Sequence, residues 1–376
     1  MSAWLARASR RLAGAYGRML IRNQAAKQSP PAAVPPLSKE PLRKLLFICD
    51  NMWEERELLP ELRAICETVF IDVHPWKLPA ARTTDERLRV SEVLDALNAH
   101  RTTPFDAVVV YLNSSLLSEE LIECIRRNWK CPMLGINLDD KTTYSDCDAF
   151  PGSARNYRRW AHAFDCNLSN SRSMVDLYRD EGFPCLYLPT GFHFDPRIHC
   201  AEPATSYDRL LSFVGSCKPE RRLFIEELAK RGIAVELYGG GWKGAQFTNE
   251  GWRIYRGTQL NLGIGFNVPG DQITNLKNRD FECPGAGGCY ITTYDWELAG
   301  LFHAGREILC YRNVDEFVEL YCYYSRRPEA CREIAQAGMA RARREHTWEQ
   351  RFRATFTELG FALQALPGAE RPSTSS

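Results

Sequence analysis

Fourteen cysteines are present, yet no two stand in a CxxC pair. Structural zinc sites draw ligands from closely spaced pairs, so this spacing argues against one. No uncharged apolar run reaches the length needed to cross a bilayer. An excess of one charge sign is also missing: the formal net charge of +1 gives the whole chain no electrostatic case for binding nucleic acid. Acidic residues are scarce only at the start. Eight Lys and Arg stand against Glu40 alone in residues 1–43, about +7, which leaves the remainder near −6.

The 376 residues are enough for two domains with a core each, and 44% apolar with 25% charged content is that of a soluble globular protein. Cys49, Cys289 and Cys310 fall in apolar strand-like runs, where free cysteine behaves as a small buried hydrophobe. A reduced, cytoplasmic chain is the economical reading. Trp4, Ala8, Leu12, Tyr16 and Met19 recur at helical spacing among Arg7, Arg10, Arg11, Arg18 and Arg22, which describes a basic amphipathic helix. Residues 3–24 then suit an anionic membrane surface, an organelle transit peptide or a disordered tail. Pro30, Pro31, Pro35 and Pro36 form a stiff linker, so folded structure is expected from residue 42 after a 1–41 segment.

From there strands and helices alternate. Lys44–Asp50, Thr68–Val73, Phe105–Asn113, Cys131–Leu138 and Cys185–Gly191 read as buried strands, with helices near Glu54–Cys66, Asp85–Ala99, Leu116–Arg127 and Ser171–Glu181. That alternation predicts an α/β domain over 42–195 with a parallel sheet covered on both faces. Ligands of such sheets bind beyond the carboxyl ends of the strands. Asp50 and Asn51, His74, Asn113, and Asp139 with Asp140 follow successive strands and are candidate bases for a hydroxyl proton. For any single one of them, a helix cap or turn acid is the simpler reading. Trp53 beside Asp50 offers a face for a sugar ring.

The pattern restarts after a loose linker. Leu210–Ser216 reads as strand, Glu220–Lys230 as amphipathic helix and Ile233–Gly239 as strand, giving a second domain over 205–345. A terminal helix over 346–366 and a disordered tail over 367–376 complete the chain. Two such α/β domains facing across a cleft place the default binding site in that cleft. Gly239, Gly241 and Gly244 satisfy GxGxxG, but they follow the second strand of the domain and no apolar-periodic helix opens after them, so a dinucleotide site is a minor reading. The stretch Asn278–Tyr311 holds Glu282, a glycine turn at Gly285, Gly287 and Gly288, and Glu297. Glycine amides can approach an anion and a carboxylate suits a ribose diol, although the same glycines fit a plain packing turn.

FVGS followed by ERR, then YGGGW, NRDFE-x4-GG, WEL-x2-LF-x2-GREI and HTWEQR, together resemble a GT-B glycosyltransferase, specifically the group-1, spore-maturation-protein-type glycosyltransferase-like family. The resemblance covers about Leu210–Leu359, and the first domain only through NLSNSR and YLPTGF. It implies two Rossmann-like domains facing across a cleft and a metal-independent, hexosyltransferase-type enzyme with a nucleotide-sugar donor on the C-terminal domain. By position, Glu282 would hold the donor ribose, while Gly215, Ser216, Gly287 and Gly288 would lie by the diphosphate. Lys218, Arg221, Lys243 and Arg279 are the cations that would replace a metal there. Glu297 would cap a helix or touch the sugar, and backbone near Arg256, Gly257 and Thr258 would read the base. One departure stands out: where wider group-1 enzymes often carry a second glutamate, this chain has Thr274.

The resulting expectation is sugar transfer from a nucleotide-diphosphate sugar to a glycan or lipid-linked acceptor, with Asp50 or Asp139 as base and no cofactor, metal or nucleic-acid partner. The alternative is a non-catalytic GT-B module that binds a glycan or nucleotide sugar or serves in assembly. The expected location is the cytoplasm, peripheral on a membrane's inner face, with organelle targeting as the other reading.

Overall fold

The computed structural model describes residues 34–50, 52–73, 86–114, 116–145, 156–199, 202–245, 250–265 and 274–363. Asn51, His74 and the basic segment 3–24 lie outside them. The chain divides into two compact units. One is Thr190–Thr347; the other combines the described residues up to Pro189 with those from Trp348 onward.

The first unit runs β1 (Lys44–Cys49), α1 (Glu54–Glu57), α2 (Leu59–Arg63), β2 (Glu67–Asp72), α3 (Glu86–Ala99), β3 (Ala107–Tyr111), α4 (Glu119–Asn128), β4 (Met133–Asn137), α5 (Asp140–Thr143), β5 (Cys166–Ser169), α6 (Arg172–Asp180) and β6 (Cys185–Tyr187). The six strands are parallel, in the order β2-β1-β3-β4-β5-β6. Side chains alternate strictly between two cores, as a period-two backbone requires. Leu46, Ile48, Val108 and Val110 join the core under α4 and α6, whereas Leu45, Phe47, Ala107 and Val109 join the one under α2. The helix expected over Glu54–Cys66 is broken in two at Leu58, with Pro60 in the first turn of the second piece.

The second unit runs α7 (Pro196–His199), β7 (Arg209–Val214), α8 (Pro219–Lys230), β8 (Glu236–Tyr238), α9 (Gly251–Gly257), β9 (Thr258–Leu262), α10 (Arg279–Gly285), β10 (Tyr290–Thr293), α11 (Trp296–Ala299), β11 (Leu309–Tyr311), α12 (Val314–Tyr324) and α13 (Pro328–Glu345). Its five parallel strands lie in the order β11-β10-β9-β7-β8. Asn313 accepts the Glu316 amide at 2.9 Å, so the cap expected for α12 is present. The stretch that showed no apolar period after the glycine motif contains α9, whose Ile254 and Tyr255 are nonetheless buried. The last helix, α14 (Trp348–Glu358), belongs to the first unit, where Trp348, Phe352 and Phe356 join the core shared by Leu45 and Phe47. Among the described residues the cysteines are free thiols, and no helix is long and apolar enough to cross a membrane.

One buried base ties the second unit's stability to pH. His199 is 6% exposed and packs between Phe192 and Phe194, and its Nδ1 accepts the Asp195 amide at 2.9 Å. Burial, the leading cause, pushes its pKa down to about 4. An unfolded histidine titrates near ~6.5, so between these values the unfolded chain binds more protons and stability falls as pH drops. The expected loss is about 2 kcal/mol on going from pH 7 to pH 5. Comparing Tm of the intact chain and His199→Gln at both pH values checks this: an equal drop in the two proteins rules the histidine out.

Candidate functional site

In a parallel open sheet the ligand edge is the one where strands pass into helices, at the point where strand order reverses. In the second unit that point is between β7 and β9, because the chain leaves β7 toward β8 and returns to β9 on its other side. β7 ends at Val214, and the loop Gly215–Lys218 leads into α8.

Two arginines converge there. Arg279 opens α10 and donates Nη1 to the Val214 carbonyl at 2.6 Å, with its Cζ 4.7 Å from the Phe213 ring centroid. Arg221, in the first turn of α8, donates Nη1 to the Ser216 carbonyl at 2.9 Å and to its Oγ at 3.2 Å, with Cζ 5.7 Å from the same ring. They are only 5% and 8% exposed (Arg221 and Arg279), and among the described residues neither forms an ion pair. Arg221 Nε is buried without a hydrogen bond. Burial, then the neighbouring Arg279 charge, pushes the Arg221 pKa down to about 9. Glu220 and Asp280 act on Arg221 in the opposite sense but without a contact ion pair, and a buried like-charged pair is costly, on the order of several kcal/mol, unless opposite charge completes it. Ser216 and Lys218 are exposed beside the pair, and Lys243 is exposed on the neighbouring loop.

The glycine motif serves this loop rather than a dinucleotide. Gly239 has φ +118°, and a Cβ there would stand 2.7 Å from the Gly215 carbonyl oxygen, so only glycine lets the two loops touch. Gly215 and Cys217 donate their amides to the Tyr238 and Gly240 carbonyls at 2.8 Å each, and Trp242 Nε1 donates to the Gly215 carbonyl at 2.7 Å. The helix that follows, α9, begins only at Gly251, seven residues after Gly244.

Glu282 lies one turn into α10, half-buried, with Tyr255 Oη donating at 3.4 Å. Thr274 donates its hydroxyl to Asp295 Oδ2. Asp295, not Glu297, caps α11: its Oδ1 accepts the amides of Glu297 and Leu298 at 2.8 and 3.1 Å, while Glu297 is itself buried.

Four expected donor contacts are placed elsewhere. Gly287 and Gly288 join α10 to β10 and therefore lie at the amino end of the strand. Gly287 has φ +82° and packs on Met339 and Pro203, and a Cβ on Gly288 would meet Cys283 Sγ and Asn261. This is the packing turn, not an anion loop. Arg256 and Gly257 end α9 and lead into β9, again at the amino end; Arg256 donates Nη1 to the Ile198 carbonyl at 2.9 Å, and the Gly257 carbonyl accepts the Asp208 amide at 3.0 Å.

In the first unit the strand order reverses between β1 and β3. Asp50 follows β1, and Asn113 Nδ2 lies 3.5 Å from its Oδ2. Burial raises the Glu54 pKa, and its Oε2 accepts the Met52 and Trp53 amides at 2.7 and 2.8 Å. Tyr111, partly buried beside Glu54, Asp139 and Asp50, is held well above its ordinary value, by desolvation first and those carboxylates next. Asp139 is exposed one strand further along, before α5, and Asp140 beside it is buried. Trp53 packs between Tyr111 and Trp348, with ring centroids 6.4 and 6.2 Å away, so its ring is spent on packing. Sequence reasoning missed Tyr255, Asp295 and Phe213 as parts of the site. Phe213 carried a usable signal, since its strand precedes the loop that bears Ser216.

Residues 220–357 match the family described as glycosyl transferase-like. Among solved structures, sucrose-phosphate synthase from Thermosynechococcus elongatus is similar at TM-score 0.60 and 12% identity, over 84% of this chain and 99% of that one. Anabaena HepE, solved in complex with UDP and glucose, is similar at 0.58 and 12%, over 84% and 99%. A glycosyltransferase from Rickettsia africae is similar at 0.57 and 8%, over 84% and 98%. No curated protein matches the chain in sequence. The chain thus has the GT-B glycosyltransferase fold, and its residues 220–357 carry the glycosyl transferase-like family match.

Proposed function

We propose that the chain transfers a hexose from a nucleotide-diphosphate sugar to a glycan or lipid-linked acceptor, without a metal. One observation carries the reading: Arg221 and Arg279 lie buried side by side at the strand-order reversal of the second unit and, among the described residues, make no contact ion pair. A diphosphate supplies the missing charge, and guanidinium forks suit its oxygens bidentately. In the transfer the acceptor oxygen bonds to the anomeric carbon, the bond to the diphosphate breaks, and the diphosphate leaves with the electron pair. The two arginines stabilise that leaving charge where a metal otherwise would, with Lys218 and Lys243 adding to the field. The acceptor proton passes to a carboxylate; Asp50, at the reversal point of the first sheet, is better placed for this than Asp139. Glu282 accepts the ribose hydroxyls.

Glu282→Ala is expected to weaken nucleoside-diphosphate binding about tenfold or more, the worth of a charge-assisted hydrogen bond. Titration calorimetry with UDP and GDP measures it, and unchanged affinity removes the ribose assignment. A non-catalytic binding module is the second reading, favoured by Thr274 at the position where a glutamate is often found. It shares the donor site and differs in turning nothing over.

A further inference from the structure

In the first unit, α6 starts without a cap. Its N-cap residue, Ser171, has an extended backbone and no side-chain bond to the helix amides. The first amides of a helix need a partner from outside the helix. Ser173 and Met174, the second and third residues of α6, are 6% and 2% exposed, and among the described residues their amides donate to nothing. The nearby hydroxyls are turned elsewhere. Ser169 Oγ accepts the Ser171 amide at 3.0 Å and donates to the Ser171 carbonyl at 3.2 Å, while Ser171 Oγ pairs with Ser173 Oγ at 3.0 Å. Another buried donor faces the same place. Asn137 ends β4 and stands opposite Ser169 in the parallel register. It shares a face with Met133, four residues earlier, which packs in one core with Met174 and Val175 of α6. Asn137 Oδ1 accepts the Asp139 amide at 3.3 Å and the Thr143 hydroxyl at 3.0 Å. Its Nδ2 is buried without a hydrogen bond, in a residue 8% exposed. Buried donors are almost always paired, so these three call for an acceptor.

We infer that the start of α6 and Asn137 form a binding site for a singly charged oxyanion, a phosphodiester or a carboxylate group. The site belongs to the first unit alone and stands whether or not the donor reading holds. Amides at a helix start carry partial positive charge and point at an anion. Arg172, exposed at the first position of α6, adds a full positive charge at the mouth, with its Cζ 4.2 Å from the Tyr187 ring centroid. A neighbouring carboxylate limits the charge of the ligand. Burial, then Asp140, holds the Tyr178 phenol well above its ordinary value, which puts Asp140 within electrostatic reach of α6. A dianion meets that repulsion twice over, whereas a monoanion meets it once and gains all three donors. A single water has two lone pairs and leaves one of the three donors unpaired.

The test titrates the full chain with dimethyl phosphate and with acetate at constant ionic strength, and repeats both on Asn137→Asp and Ser171→Asp. Asn137→Asp keeps the Oδ1 acceptor and replaces the donor with an anionic oxygen. Ser171→Asp places a carboxylate at the N-cap, where it takes the helix amides itself. Each variant is expected to weaken the bound oxyanion about tenfold or more, the loss of at least one charge-assisted hydrogen bond. Ser171→Asp should keep or raise Tm, so its lost binding is not lost folding. Hydrogen exchange of the peptide spanning residues 169–178 should slow with ligand in the intact chain and in neither variant. Arg279→Ala should leave dimethyl phosphate affinity within twofold, which separates this site from the second unit's arginines. Flotation with phosphatidylglycerol vesicles distinguishes the sources of the group: weaker flotation of Asn137→Asp than of the intact chain assigns a lipid headgroup, and equal flotation a free ligand. Equal probe affinity in the intact chain and both variants overturns the site, as does loss of binding in Arg279→Ala instead. An intact chain that binds neither probe overturns it too, and leaves the donors to water.

Discussion

Arg279→Ala is expected to lower nucleoside-diphosphate affinity about 100-fold, close to 3 kcal/mol, the worth of one or two charge-assisted hydrogen bonds in a dry site. The same change should cost the unliganded protein little. It loses one bond to the Val214 carbonyl but removes a like charge from beside Arg221, which burial and that charge together hold at about 9. Inorganic pyrophosphate should raise the Tm of the intact chain and not that of Arg279→Ala. Arg279→Lys should fall between, because an ammonium keeps the charge but not the planar fork. The opposite pattern, a Tm drop beyond about 10 °C with unchanged diphosphate affinity, would make Arg279 a tether for the end of β7 and nothing more.

Asp50→Asn is expected to slow sugar transfer by about 10²–10⁴-fold, the usual range for a lost general base, and to leave donor affinity intact. Asp139→Asn should slow it less than about tenfold, since Asp139 stands one strand away from the β1–β3 reversal and exposed before α5. Release of nucleoside diphosphate from the donor, followed with a panel of glycan acceptors, measures both. If Asp139→Asn is the slower variant, the acceptor end is organised around β4 and the assignment of Asp50 is wrong.

The two βαβ blocks were legible because their first strands are apolar runs; Lys44–Asp50 and Leu210–Ser216 differ from β1 and β7 by one or two residues at their ends. Strand β9 was not. Thr258–Leu262 is TQLNL, with Thr258, Gln259 and Asn261 buried through hydrogen bonds to backbone carbonyls, so it carries no apolar run to read. The site divides along a single physical line. Gly215, Ser216, Lys218 and Arg221 follow a strand and enter a helix, and they fall at the ligand edge. Gly287, Gly288, Arg256 and Gly257 follow a helix and enter a strand, and they fall at the opposite edge. Glu282 and Gly287 are close in sequence, yet the C-terminal turn of α10 carries the glycine away from the site. The direction of each turn was available from the sequence; the composition of the glycine stretch obscured it. The Thr274–Asp295 contact spans 21 residues and two elements, and no local pattern announces it.

The most direct test is titration of the full-length protein with UDP-, GDP-, dTDP- and CMP-sugars and with NAD and NADP, followed by assay for released nucleotide. The account predicts saturable binding of at least one nucleotide-diphosphate sugar, lost in Arg279→Ala, with release of the nucleoside diphosphate when an acceptor is present. Binding of NAD or NADP alone would contradict it.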